Sequence, residues 1–207
     1  MTIPDEGYIK YTCNWQKAPP PPAHHLTQLH SWRTQLYQKG FIGRYDNGIG
    51  YGNLSIRSTT NPQQFIVSGT QTGGLPDLTA AHYTLVTTFD LERNTLTCRG
   101  EIKASSESLT HAAIYQANPD VCAVIHVHHR RLWECLMDKV PTTPRHCAYG
   151  TPEMAYAIRD ICQNPSLASP KILVMSGHEE GIITFGKDLA EAGTVLLAQY
   201  RKELAVV

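Results

Sequence analysis

Apolar and polar residues change period several times along this chain, and each change marks an element. From His24 to Lys39, Leu26, Leu29, Trp32 and Leu36 recur three or four residues apart. That is the stripe of a helix with one buried face, and Gly40 suits its C-terminal cap. Ser105–Asn118 reads as a second helix, opening on hydroxyl residues fit for capping and stopping before Pro119. Arg131–Asp138 predicts a short helix. Thr151-Pro152-Glu153 is a helix start with a cap, a proline and a first-turn acid, and Asp188 caps a last helix striped by Leu189, Leu196, Leu197 and Tyr200. Between these lie strand-like runs at Asn53–Arg57, Gln64–Val67, Tyr83–Phe89, Thr95–Cys98, Val121–His128, Lys171–Met175 and Gly181–Phe185. The Arg93-Asn94 turn signal pairs the third and fourth of these as a hairpin. Gly43, Gly48, Gly50 and Gly52 predict a flexible stretch. Helices and strands mix without a regular βαβ rhythm, which predicts a three-layer α/β arrangement around a mixed or antiparallel sheet.

The segment through Trp15 reads as a strand or an arm, and Pro19–Pro22 as a stiff spacer after it. Residues 1–23 are therefore expected to form an N-terminal arm and spacer, and 24–207 one domain. A length of 207 residues and an apolar fraction of 42% allow a sizeable core. Lysine plus arginine equals aspartate plus glutamate at 18 each, so no electrostatic footprint for nucleic acid or an anionic membrane is expected. An anion site, if present, must be local. The N-terminus has no basic region followed by an apolar run, and no stretch approaches the roughly 18–20 apolar residues that span a bilayer. Six scattered cysteines without a Cys-x-x-Cys pair read as buried thiols of a reducing compartment, so the expected location is cytoplasmic.

The run Val124-Ile-His126-Val-His128-His129 is where chemistry concentrates. On a strand, Val121, Ala123, Ile125 and Val127 face one way, and Cys122, Val124, His126 and His128 the other. The two imidazoles then stand roughly 7 Å apart at Cα, from about 3.3 Å of rise per residue, and both can reach one zinc. His-x-His also occurs on purely structural strands. Two histidines on one face of an apolar strand nevertheless need partners. His178, in the turn Met175-Ser-Gly-His178-Glu-Glu-Gly181, is a candidate third ligand or an ordinary loop histidine, and His146 is its rival. Ser105-Ser106-Glu107, Asn53 with Ser55, and Val67-Ser68-Gly69-Thr70 are small polar segments able to cradle an anion.

Taken in order, these segments form a series. It runs Gly52-Asn53-x-Ser55-x-Arg57, Ser68-Gly69-Thr70, Ser105-Ser106-Glu107-x-x-x-His111-x-x-x-Tyr115, Asn118-Pro-Asp120, His126-x-His128, Tyr149-Gly-Thr151, and His178 followed by Gly181 and Gly186. From about Leu26 to Leu197 the series resembles the class II aldolase/adducin-like family. The resemblance implies a three-layer α/β/α fold with a mixed, largely antiparallel central sheet, and a homotetramer with active sites between subunits. It implies zinc, or another divalent metal, on His126, His128 and His178, with Glu107 as acid/base; Tyr149 is a candidate proton donor reaching into a neighbour's site or a packed loop tyrosine. Asn53, Ser68, Gly69, Ser105 and Ser106 would hold the anion of a phosphorylated sugar or hydroxy-ketone. The implied reaction cleaves or forms a carbon–carbon bond next to a carbonyl through a metal-stabilised enediolate. A 4-epimerase or dehydratase would use the same centre, and an adducin-head-like binding module would be the non-catalytic outcome.

Three departures stand out. Val127-His128-His129 replaces the usual Thr-His-Ser, Glu179 and Glu180 stand where a glycine often follows the third ligand, and Ala104 takes the place of a proline. These alter the rim of the pocket more than the metal ligands.

Overall fold

In the computed structural model, which describes residues 8–204, the elements follow the order β1 (Thr12–Lys17), α1 (Ala23–Gln38), β2 (Gly43–Arg44), β3 (Gly50–Tyr51), β4 (Asn53–Arg57), β5 (Phe65–Ser68), β6 (Tyr83–Asp90) and β7 (Thr95–Gly100). The second half continues with α2 (Ser108–Ala117), β8 (Ala123–His128), α3 (Arg130–Leu136), α4 (Pro152–Gln163), α5 (Pro165–Ala168), β9 (Ile172–Val174), β10 (Gly181–Gly186) and α6 (Leu189–Leu204). Eight strands make one sheet in the order β1-β7-β6-β5-β4-β8-β10-β9. Only β1 and β7 pair in parallel, so the sheet is mixed and largely antiparallel.

The alternation of β8 divides the core. Ala123, Ile125 and Val127 pack with Leu54, Ile66 and Ile182 beneath Leu29 and Leu36 of α1, Leu132 of α3 and Leu196 of α6. Val124 faces the other layer, with Val67, Ile183, Ala112 and Ile114 of α2 and Met154 and Ile158 of α4. Helices therefore cover both faces, the three-layer arrangement expected of a sheet apolar on both sides. His126 and His128 share the face of Val124.

Three details differ from the periodicity reading. The glycine-rich stretch is ordered as the β2–β3 hairpin, with Gly43 opposite Tyr51 and Arg44 opposite Gly50. The second helix begins at Ser108 instead of Ser105. Residues before it are held outside the helix by the Gly69–Ala104 bridge and by Tyr11, whose hydroxyl lies 3.1 Å from the Ala104 carbonyl and 2.9 Å from that of Ser105. Finally, α5 is a single turn started by the Asn164 side chain and Pro165, too short for periodicity to reveal. The segment before the polyproline run joins the sheet itself, as edge strand β1.

Candidate metal centre

Antiparallel pairing gathers the site at one edge of the sheet. Asn53, at the start of β4, lies opposite His126, and Gly181, at the start of β10, lies opposite His128. The turn into β10 closes with the Met175 N–H donating to the Gly181 carbonyl at 3.0 Å, the His178 N–H to Met175 at 3.1 Å and the Gly181 N–H to His178 at 2.9 Å. A Cβ on Gly181 would stand 3.0 Å from the His178 carbonyl and 3.1 Å from its Nδ1, so glycine leaves the ring room to fold back over the turn. His178 thus meets the two strand histidines. Ring centroids are 4.9 Å apart for His126–His128, 5.1 Å for His126–His178 and 4.7 Å for His128–His178.

One nitrogen from each ring lies within 4.8 Å of the other two, and the residues are only 1%, 2% and 3% exposed. A triangle of that side has its centre about 2.8 Å from each corner, so an inward shift of about 0.7 Å brings all three to zinc–nitrogen bonding distance. Burial holds the His126 pKa well below its ordinary value, and the neighbouring His128 and His178 hold it lower still. A neutral imidazole is the form that binds a cation. Its Nε2 is buried without a hydrogen-bond partner, while Nδ1 lies 3.2 Å from the Asn53 amide. Asn53 Oδ1 also lacks a partner. Turning that amide over lets His126 Nδ1–H donate to Oδ1 and leaves the Nε2 lone pair for a metal. The donor set fits a divalent cation.

Glu107 is buried at the head of α2, where Thr110 donates to its Oε2 at 2.7 Å, and its Oε1 is 3.9 Å from His178 Nδ1. Tyr149 stacks on His178 of its own chain, with centroids 4.8 Å apart. Its hydroxyl accepts from the Tyr8 N–H at 3.4 Å, and the Lys10 ammonium lies 3.9 Å from the centre of its ring. The polar segments adjoin this centre. Ser68 Oγ accepts from the Leu54 N–H at 3.3 Å, Ser105 Oγ from Glu107 N–H at 3.4 Å, and Ser105 and Ser106 are buried. The Gly69 N–H donates to the His82 carbonyl at 2.8 Å and is committed to the sheet, leaving Gly69 to shape the loop. His146 is exposed and stands outside the histidine cluster.

Other residues complete the surroundings of the centre. Ser55 Oγ is 2.7 Å from His111 Nδ1 and 2.8 Å from the Tyr115 hydroxyl, a buried trio in which desolvation lowers the His111 pKa to about 3. Tyr45, from the glycine-rich stretch, contacts His128, and no periodicity marked it. An apolar recess of about 380 Å³ among Pro19–Pro22, Ile56, Ile66 and Leu85 shares no residue with the centre.

Solved structures that share the fold include the following three. YgbL from Klebsiella pneumoniae matches with a TM-score of 0.67 at 18% identity, covering 90% of this chain and 90% of its own. An L-fuculose 1-phosphate aldolase gives 0.65 at 19% identity over 87% and 84%, and a sugar-phosphate aldolase from Thermotoga maritima 0.61 at 15% over 88% and 93%. No curated protein matches the chain by sequence. The family model for the class II aldolase and adducin N-terminal domain matches residues 35–199, which takes in the strand histidines, Glu107 and the His178 turn. With that span and this fold, the chain belongs to the class II aldolase and adducin N-terminal domain family.

Proposed function

We propose that this chain is a metal-dependent aldehyde-lyase, opening or forming a carbon–carbon bond next to a carbonyl in a phosphorylated sugar or similar hydroxy-ketone. The observation that carries this reading is the buried cluster of His126, His128 and His178 with the Glu107 carboxyl 3.9 Å from His178. A zinc ion, or another divalent cation, held by these imidazoles would supply Lewis-acid polarisation of a carbonyl and the hydroxyl beside it. The chain's own residues do the rest. Glu107, oriented by Thr110, takes the proton that leaves the substrate hydroxyl as the carbon–carbon bond opens to an aldehyde. It then returns a proton to the carbon next to the remaining carbonyl. Tyr149, stacked on His178, is a second group with an exchangeable proton at the same centre. Asn53, Ser68, Ser105 and Ser106 line the approach and hold the substrate anion by hydrogen bonding in a site that excludes water.

The sugar-phosphate aldolases among the structural neighbours support a lyase reading, and epimerisation or dehydration at the same centre is the alternative. A binding module would have no use for a carboxyl buried beside three imidazoles. The assembly we expect is a symmetric, cytoplasmic homotetramer. No helix among the described residues is long and apolar enough to cross a membrane.

The test is aldehyde release from a panel of ketose 1-phosphates, L-fuculose 1-phosphate included, by zinc-reconstituted protein. Release that stops with a chelator and returns with zinc is the expected result. Conversion of a sugar phosphate to its epimer or dehydrated product, with no aldehyde, would replace the lyase reading. Inertness toward the whole panel would favour the binding module.

A further inference from the structure

The contacts around His128 lead outward through side chains that the family resemblance leaves without a role. The Tyr45 hydroxyl is 2.7 Å from His128 Nδ1 and donates to Glu180 Oε2 at 3.0 Å. The other Glu180 oxygen is 3.0 Å from Arg130 Nε, and Arg130 also meets Glu179 at 2.7 Å. A phenol has one proton. Here it goes to the carboxylate, so toward the imidazole the oxygen can only accept. With the phenol proton donated to the carboxylate, His128 carries its own on Nδ1, the tautomer that leaves Nε2 for a metal.

The backbone gives this arrangement room at some steric cost. Glu180 sits at φ 68°, in the left-handed region that disfavours a side chain, at the turn where a glycine would be at ease. Its carbonyl accepts from the His129 N–H at 3.1 Å, which ties the turn to the end of β8. Tyr45 is held by the β2–β3 hairpin, whose Tyr51 packs against it at 4.6 Å and stacks on His128 at 5.4 Å. Behind the hairpin, Gly73 packs so closely on the Gly43 carbonyl and the Tyr51 backbone that a Cβ would meet them at 2.6 Å. That loop is fixed in turn by the buried Arg33, which donates to the Thr72 and Gly73 carbonyls at 2.9 Å each. The hairpin thus brings both Tyr45 and Tyr51 against the His128 imidazole.

We propose that Tyr45 and Glu180 are positioning residues for the metal. As a phenol–carboxylate relay they fix the tautomer and orientation of His128, in the place where metal-bound histidines commonly donate to a carboxylate or carbonyl directly. The proposal rests on the three-histidine reading of the centre. Its consequence is that metal affinity is set partly by a side chain in the turn after the third ligand, and by a hairpin far from it in sequence.

The experiment measures the zinc dissociation constant, by competition with a chromophoric chelator, for wild type, Tyr45→Phe, Glu180→Ala, Glu180→Gln and Glu179→Gln. The visible spectrum of the cobalt-substituted forms is recorded alongside. Tyr45→Phe and Glu180→Ala should each weaken zinc binding by about 10–100-fold, the usual cost of losing such a partner. The metal-free melting temperature of Tyr45→Phe should stay close to wild type, and its cobalt spectrum should shift. Glu180→Gln keeps an acceptor for the Tyr45 proton and should recover most of the affinity. Glu179 pairs with Arg130 at the exposed end of the chain of contacts, so Glu179→Gln should bind like wild type. Wild-type affinity in both Tyr45→Phe and Glu180→Ala would overturn the relay while leaving the histidine centre intact. Failure of the wild type itself to bind zinc or cobalt would overturn the centre, and the relay with it.

Discussion

Glu107 and the histidines beside it should respond differently to substitution, because a carboxyl that only moves protons is separable from the ligands. Glu107→Gln keeps the size of the side chain and an acceptor for the Thr110 hydroxyl. Fold and zinc content should therefore survive, while turnover should fall by about 10²–10⁴, the span usual for acid–base catalysis. Zinc lost together with activity would make Glu107 a ligand instead. His111 governs a different property. Its pKa is about 3 when folded, against an ordinary value of 6.5, because burial excludes the charged form. The unfolded chain takes up a proton that the folded chain refuses, so stability is fully present above about pH 6.5 and drains away as pH falls toward 3. His126, lowered by the same cause, adds to the trend. Urea midpoints between pH 7 and 4 should therefore fall less steeply in His111→Gln than in wild type. Identical slopes would mean that His111 does not titrate on unfolding. At this scale the sequence made His126 and His128 legible, since alternation on a strand puts them on one face. It did not reveal that Asn53 meets His126 Nδ1, because a short polar residue carries no sign of which imidazole lies beside it.

Periodicity located elements well where a face is buried and poorly where a contact from elsewhere sets the end. The helix around α1 and the run around β8 match their apolar stripes closely. The start of α2 does not, because Tyr11 of the N-terminal segment holds the Ala104 and Ser105 carbonyls outside the helix. Nothing local to Ser105 records that contact. Tyr11→Phe leaves both carbonyls without the hydroxyl in a buried place, which should cost about 1–2 kcal/mol. The melting temperature should fall by roughly 2–8 °C for a chain of this size. The Ser-Ser-Glu turn should loosen, seen as faster amide exchange at residues 105–108, with zinc affinity little changed. Unaltered exchange there would show that the turn holds itself. The glycines from 43 to 52 misled in the opposite direction. Their freedom is used to build a hairpin: Gly52, at φ 78°, lies against Ile42 and the Phe41 carbonyl, where a Cβ would clash.

For the whole molecule, strand order is what completes the centre. Placing β10 beside β8 carries His178 to the end of the strand bearing His126 and His128, although all of α3, α4, α5 and β9 intervene in the chain. His146 is closer in sequence and remains exposed, so spacing by itself could not choose between them. The family resemblance favoured His178 because whole-chain order carries topology that local motifs lack. A chain with one such centre should hold one divalent ion per subunit, and its loss should follow from removing either strand ligand. The most direct measurement is metal content by native mass spectrometry of zinc-loaded wild type, His126→Ala and His128→Ala after equal dialysis. One zinc per chain in the wild type and essentially none in either folded variant is the predicted result. Stoichiometric zinc in both variants, or a wild type that retains none, would contradict the three-histidine centre.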